Sequence, residues 1–311
     1  MIRKIYLTFD VEDFINERSV PSLLSILKLL KKNGLKGLFF ITGSMAEELR
    51  HFPETLELLK HHDIGYHSTS HSVRPSIFEY TDIDDYEEAY QLSLARETSH
   101  VNPLTGEIEG EGGLRLLQRI FPDKKVEAFR APGFSWSPPH LEALRSIGIK
   151  YDFSTNLSKQ PVYYKGISFY PAPILIDETS TLALLSSLSR RDITVLDFHP
   201  NYIVNETWWD SVFFSGQTLA EMQSVPQRSE SMTRKMYLEL VVFMSILSCL
   251  QRTGVIEINR ISQADAKLET ERIDTQSVYK QITTWPIERF GYKPKFIRQH
   301  LQFFFDLHKS D

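Results

Sequence analysis

Ile5-Tyr6-Leu7-Thr8-Phe9-Asp10 is the first of three short apolar runs whose reading decides the fold. Gly37-Leu38-Phe39-Phe40-Ile41-Thr42 and Asp63-Ile64-Gly65-Tyr66-His67 are the second and third. Each is a few residues long and rich in β-formers, as a buried strand should be. Between the first two, Pro21 to Lys32 carries apolar residues at positions 23, 24, 26, 27, 29 and 30, a wide helical stripe that Asn33-Gly34 ends. Pro53 opens another helix that runs through Leu59. Strand, helix, strand, helix, strand predicts parallel pairing through right-handed crossovers.

The alternation resumes further on. Val126 to Phe129, Ile149 to Phe153, Ile193 to Phe198 and Val255 to Ile258 read as strands, with helices over Pro139 to Ile147 and Ser231 to Leu250. About seven such strands suit an α/β barrel, with an open doubly wound sheet as the alternative. Two stretches break the pattern. Tyr80 to His100 begins acidic and reads as a helix, and Val101 to Gly113 holds Pro103, Gly106, Gly110, Gly112 and Gly113 and reads as a loop. Residues 1–268 are read as one barrel. Residues 269–311 are read as a helical extension packing on it, ending in the apolar helix Phe296 to Leu307.

Composition excludes several classes. The 311 residues include 41% hydrophobic side chains, enough for a sizeable core, and the formal charge of −5 argues against a general nucleic-acid binder. One cysteine, Cys249, leaves no intramolecular disulfide framework and no Cys-rich zinc module. The opening run has no apolar h-region, and Met236 to Leu250, the most apolar window, is too short to span a bilayer and carries Glu239. The expectation is a soluble cytoplasmic protein without a membrane span, monomeric or homodimeric.

Four groups at strand ends carry chemistry. Asp10, Glu12 and Asp13 crowd three carboxylates into four residues, at the face where barrels keep their active sites. Such crowding needs a cation or a retained proton, although a solvated acidic turn is also common. His67 and His71 are the chain's one histidine pair at this spacing, which on a turn of helix would set both rings on one face. Ten histidines in 311 positions would give roughly 0.3 such pairs by chance, so the pair gains meaning from its neighbours. Arg130, before Ala131-Pro132-Gly133, can hold a carboxylate ionised, and Phe134 and Trp136 beyond it could wall a sugar pocket. Read alone, it is equally a surface arginine before a turn. Asp197 and His199 share one face of their strand, and His199 could act as an acid or base or be ordinary hydrogen-bonded structure. Tyr202, Trp208, Trp209 and the acidic residues of Tyr80 to Glu88 could shape specificity, or be core packing and a solvated helix.

These motifs, in this order from about Tyr6 to Ala266, resemble the polysaccharide deacetylase family, also called the NodB-homology or carbohydrate esterase family 4 domain. The resemblance implies a distorted (β/α)7 barrel that hydrolyses the N-acetyl amide of an amino sugar. It also implies a divalent metal held by one carboxylate and two histidines, usually zinc, with cobalt, nickel or manganese as alternatives. It makes Asp10 the general base, His67 and His71 metal ligands, Arg130 the partner of Asp10, and His199 the general acid. The family's first motif usually has adjacent aspartates, the second binding metal. Here Val11 follows Asp10, so the metal carboxylate is Glu12 or Asp13; alternation favours Glu12 and turn geometry Asp13. The aspartate that orients the acid histidine has no clean match, with Asp152 and Asp197 as candidates. The Asp-Val-Glu-Asp form resembles a subgroup linked to surface-polysaccharide biosynthesis. The implied substrate is a nucleotide- or lipid-linked precursor in the cytoplasm, as for O-antigen. A formamide or non-sugar amide hydrolase and a non-catalytic carbohydrate-binding barrel are the alternatives.

Overall fold

Alternation along the first strand divides its side chains between two destinations. The computed structural model describes residues 2–12, 18–71, 83–101, 108–134, 136–155, 157, 160–206, 226–261, 276, 278 and 280. In it, β1 (Arg3–Val11) sends Ile5, Leu7, Phe9 and Val11 into the main hydrophobic core, while Tyr6 joins a second, separate apolar cluster. The chain then alternates as expected. α1 (Ser19–Asn33) leads to β2 (Leu38–Ile41), and α2 (Gly43–Leu49) and α3 (Pro53–Leu59) lead to β3 (Asp63–Tyr66). α4 (Tyr86–Thr98), the short strands β4 (His100–Val101) and β5 (Ile108–Glu109), and α5 (Gly113–Ile120) precede β6 (Ala128–Phe129). α6 (Pro138–Ser146) precedes β7 (Tyr151–Asp152). No helix separates β7 from the hairpin of β8 (Val162–Tyr164) and β9 (Ile167–Phe169), which is where the repeating pattern is distorted. β10 (Ile174–Leu175), α7 (Thr181–Leu188), β11 (Ile193–Phe198), α8 (Glu230–Arg252) and β12 (Ile256–Ile258) complete the described elements.

The sheet runs β10-β11-β1-β2-β3-β6-β7-β9-β8, and every neighbouring pair is parallel except the β8–β9 hairpin. β12 pairs with Arg3–Ile5 of β1, below the stretch Thr8–Val11 that β2 takes. The sheet is curled rather than open. Tyr6, Leu38, Phe40, Ala128, Phe153, Tyr170 and Val195 form one cluster on its inner face. Rings meet across that space: Tyr6 lies 4.9 Å from Tyr170 and 5.8 Å from Phe153, and Phe40 lies 5.4 Å from Phe153. A doubly wound sheet would cover both faces with helices. Here the helices pack on the outer face, and the fold is the distorted α/β barrel.

Three readings of the sequence need correction. The strands at 126–129 and 149–153 shrink to two residues each: Pro132 and the left-handed Gly133 (φ 58°) turn the chain just past the first, and Asp152 accepts the Ser154 and Thr155 N–H groups just past the second. Val101 to Gly113 is not all loop: Val101 pairs with Ile108 in the antiparallel β4–β5 ladder, and Gly113 opens α5. The helix expected over Tyr80 to His100 is Tyr86–Thr98, capped by Asp85, which accepts from the Glu88 N–H at 2.9 Å. Of the segment 269–311, Gln276, Val278 and Lys280 are described; all three are helical and Val278 is buried. Phe296 to Leu307 lies outside the described residues. Among these residues, no helix is long and apolar enough to cross a membrane.

His62 packs edge-on against Phe39 and accepts the Gly37 N–H at Nδ1, 3.1 Å away. Burial, helped by the positive charge of Lys36 and its neighbours, lowers its pKa from 6.5 to about 3. The unfolded chain therefore takes up this proton near pH 6.5 and the folded chain only near 3. Between those values the unfolded state binds more protons, so stability falls as the pH falls, by up to about 1.4 kcal/mol per pH unit from this group. Urea unfolding from pH 7 to 4 should show a shallower loss for His62→Asn than for the wild type; equal slopes would refute this role.

Candidate active site

The even-numbered residues of β1 climb the barrel interior from an apolar floor to a charged rim. Tyr6 lies in the aromatic cluster, and Thr8, Asp10 and Glu12 follow above it, all buried. β11 repeats the gradient with Val195, Asp197 and His199, and β6 supplies Ala128 and then Arg130. Register sets the strands level: Tyr6 stands beside Val195, and Thr8 beside Asp197.

Arg130 is fully buried at the middle level. Its Nη1 donates to Asp10 Oδ1 at 2.8 Å and to Asp197 Oδ1 at 2.5 Å, and its Nη2 donates to the Thr8 hydroxyl at 2.9 Å. The guanidinium lies over the Phe40 ring, 4.5 Å from its centroid. Burial opposes its charge, but Asp10 and Asp197 outweigh that and hold its pKa above the ordinary value. Burial likewise lifts Asp10 to a pKa of about 7; Arg130 pulls it down and Asp197 pushes it up.

His199 faces Asp10 with its Nε2, 3.7 Å from Asp10 Oδ2 and 3.8 Å from Glu12 Oε1. Its Nδ1 is 3.0 Å from Asp177 Oδ2, which also accepts the His199 backbone N–H at 3.1 Å. Burial works against the imidazolium, yet Asp177, followed by Glu12 and Asp197, raises its pKa well above the ordinary value. The carboxylate that orients this ring is thus Asp177. Asp152 is committed elsewhere: it accepts from the Ser154 and Thr155 N–H groups and from the Ser154 hydroxyl, and Ser154 Oγ in turn accepts the Ala131 N–H at 2.7 Å. Asp152 braces the turn after Arg130. Asp197 approaches His199 Nε2 only to 4.0 Å, and its other oxygen is held by Arg130. Asp177 carries the same signal that marks Asp10, an acid closing an apolar run (Ile174-Leu175-Ile176), but the family motifs passed it over.

Glu12, His67 and His71 bring three potential ligand atoms within 4.8 Å of one another. His67 Nδ1 faces the Arg130 carbonyl at 2.8 Å, and a carbonyl can only accept, so the proton sits on Nδ1. That leaves a lone pair on Nε2, which is buried with no hydrogen-bond partner among the described residues. Burial, then the His71 charge, keeps this ring's pKa well below the ordinary value. A buried lone pair beside a second imidazole and a carboxylate suits a divalent cation, and three ligands leave positions open for water and substrate. Asp10, Asp197 and His199 form a second such group. Two of its members are already bound to Arg130, so it suits a cation less well. Asp13, the alternative carboxylate, lies outside the described residues.

The histidine spacing does not work through a helix. Residues 67–71 form an irregular turn with Ser68 in the left-handed region (φ 64°). The Gly43 and Ser44 N–H groups, opening α2, donate to the Ser68 and Thr69 carbonyls at 3.1 and 2.9 Å. Contact is so close that a Cβ on Gly43 would stand 2.7 Å from the Gly113 Cα and 2.9 Å from the Thr69 oxygen. Phe134 is half-buried beside Arg130 (5.7 Å), but Trp136 is enclosed in the main core and does not wall an open pocket. Tyr202 stacks on the Arg228 guanidinium at 4.4 Å, and Trp208 and Trp209 lie outside the described residues.

Residues 2–151 match the family model described as polysaccharide deacetylase. Over that stretch, just under half of its length, the chain is similar to the polysaccharide deacetylase family. No curated protein matches the chain. Among solved structures, a carbohydrate esterase family 4 pseudoenzyme from Bacillus anthracis is similar at 16% identity, covering 88% of this chain and 68% of its own, with a TM-score of 0.44. A candidate polysaccharide deacetylase involved in O-antigen biosynthesis in Bordetella bronchiseptica matches at 16% identity, over 76% of this chain and 89% of its own, with a TM-score of 0.37. A family 4 carbohydrate esterase from Streptomyces lividans matches at 14% identity, over 81% and 90%, with a TM-score of 0.40. The family match ends at Tyr151, so Asp177, Asp197 and His199 join the site through the fold rather than through the matched stretch.

Arg130→Met would leave Asp10 and Asp197 buried without their cation. Denaturant unfolding at pH 7 should show a loss of about 3–5 kcal/mol. A loss below about 1 kcal/mol would mean that the carboxylates find other partners.

Proposed function

We propose that the chain is a metal-dependent N-deacetylase of an amino sugar. The observation carrying this reading is the buried, unprotonated Nε2 of His67, grouped with His71 and Glu12 beside a carboxylate and an imidazole suited to proton transfer. Glu12, His67 and His71 would hold the ion, with zinc as the ion we favour. When bound, it supplies Lewis acidity toward the acetamide carbonyl and lowers the pKa of water from about 15.7 toward 7.

The chain's own groups do the rest. Arg130 holds Asp10 Oδ1, so Oδ2 is left to take a proton from the attacking water. The water oxygen bonds to the carbonyl carbon, and the C–N bond breaks as His199 Nε2–H protonates the nitrogen. Acetate and a free amine leave. An amine departs poorly unless protonated, and Asp177 keeps His199 in the protonated form this step needs. The substrate we propose is a cytoplasmic nucleotide- or lipid-linked precursor of a surface polysaccharide such as O-antigen. The Asp10-Val11-Glu12-Asp13 form of the first motif supports it.

Asp10→Asn separates binding from turnover. Metal content should stay stoichiometric, while acetate release from UDP-N-acetyl sugars should fall by roughly 10²–10⁴-fold. Wild-type turnover in this variant would sink the assignment of the base, and a wild-type protein that purifies and reconstitutes without metal would sink the whole reading.

A further inference from the structure

Behind the turn that carries His67 and His71 lies a buried polar cluster belonging to none of the site motifs. Glu97, on α4, is 1% exposed. Its Oε2 accepts the Tyr66 hydroxyl at 2.5 Å, and its two oxygens lie 3.0 and 3.2 Å from the Ser68 hydroxyl. Its Oε1 is 2.7 Å from His140 Nε2, on α6, where the side chains of both partners are fully buried. One carboxylate therefore ties two helices to the residues on either side of His67. Thr69 adds a parallel tie: its hydroxyl donates to the Arg96 carbonyl at 3.3 Å and accepts the Gly113 N–H at 3.1 Å.

Backbone geometry gives this cluster a purpose. Ser68 holds a left-handed φ of 64°, which a serine keeps only where its surroundings enforce it. The turn there sets the angle between His67 and His71, whose ring centroids are 5.3 Å apart. The His67 ring is fixed independently, by the Arg130 carbonyl. His71 follows only after the turn, so its direction depends on the conformation of Ser68. A surface helix has no need of a buried acid, and a packed apolar residue at 97 would fill the space without holding a hydroxyl.

We infer that Glu97 is a positioning residue for the metal centre, holding Ser68 and Tyr66 so that His67 and His71 converge on one ion. The inference rests on the metal reading proposed above. Cobalt(II) titration of the full chain tests it, read by affinity and by the visible absorption bands of the bound ion, with thermal melting of the metal-free proteins alongside. Glu97→Ala should bind Co²⁺ about tenfold or more weakly, with shifted bands, the range typical of lost supporting contacts. Ser68→Ala, which removes only the hydroxyl on the turn, should do the same without a large change in melting. Glu97→Gln keeps an oxygen for Ser68 and Tyr66 and should recover affinity to within about threefold of the wild type. Wild-type affinity and bands in Ser68→Ala, or in a folded Glu97→Ala, overturn the inference; if Glu97→Ala does not fold, Ser68→Ala decides alone. A wild-type chain that binds no Co²⁺ removes the metal reading and this inference together, a failure visible before any variant is made.

Discussion

Arg130 places a fully buried guanidinium between the carboxylates of Asp10 and Asp197, with the Thr8 hydroxyl completing its bonds. Three strands of the barrel, β1, β6 and β11, meet at this one group. Leaving any of the three charges alone in the interior would be expensive, so the strands must keep the register that joins them. The same residue acts at its other end. Its carbonyl accepts a hydrogen bond from the His67 Nδ1–H and so decides which nitrogen of that ring keeps its lone pair. Asp10 and the His67 ring are thus oriented by one residue, through its side chain and its backbone respectively.

Below this level the barrel has no polar work to do. Tyr6, Phe40, Phe153 and Tyr170 fill the floor with rings, and Phe153 and Tyr170 stack at 4.4 Å. An apolar floor excludes water from beneath Arg130, which strengthens its ion pairs and raises the pKa of Asp10. The opposite face of β1 and β2 lies in the core with α1, where Phe9 and Phe39 stack at 4.5 Å. Two-residue periodicity, applied to a strand buried on both sides, is therefore enough to separate scaffold from chemistry: odd positions of β1 build the core, and even positions build the site.

That separation explains what could be read from the chain alone. Ile5–Phe9, Pro53–Leu59 and Ile193–Phe198 are local patterns with local punctuation, and their limits stand within a residue or two in the fold. His67, Arg130 and His199 stood out as candidates because each follows such a strand directly, and Asp10 because it closes the apolar run of β1. Asp177 carried a weaker form of that signal, after a run too short to stand out, and Glu97 carried none. One sits after a two-residue strand and the other in mid-helix with an unremarkable sequence around it, and only tertiary contact brings them to His199 and Ser68. Asp152 misled for the same reason: it closes a strand at the right level, yet its carboxylate turns back to cap Ser154 and Thr155. The histidine spacing was informative although its assumed helix is absent, because a tight turn with one left-handed residue also returns position i+4 beside position i.

Charge balance at the rim connects these pieces. Asp10, Glu12, Asp177 and Asp197 crowd around two cationic groups, Arg130 and the imidazolium of His199, while His67 is held neutral. In formal charges the cluster is two positive charges short. Within that cluster burial, with a smaller push from Asp197, makes Asp10 reluctant to ionise, its pKa raised to about 7. A divalent ion held by Glu12, His67 and His71 would supply the missing charge, and its attraction would act on Asp10 in the opposite direction, toward the carboxylate form. The crowding that would be a liability in an empty barrel is, on the metal reading, what makes the rim neutral and the base ready once the ion is bound.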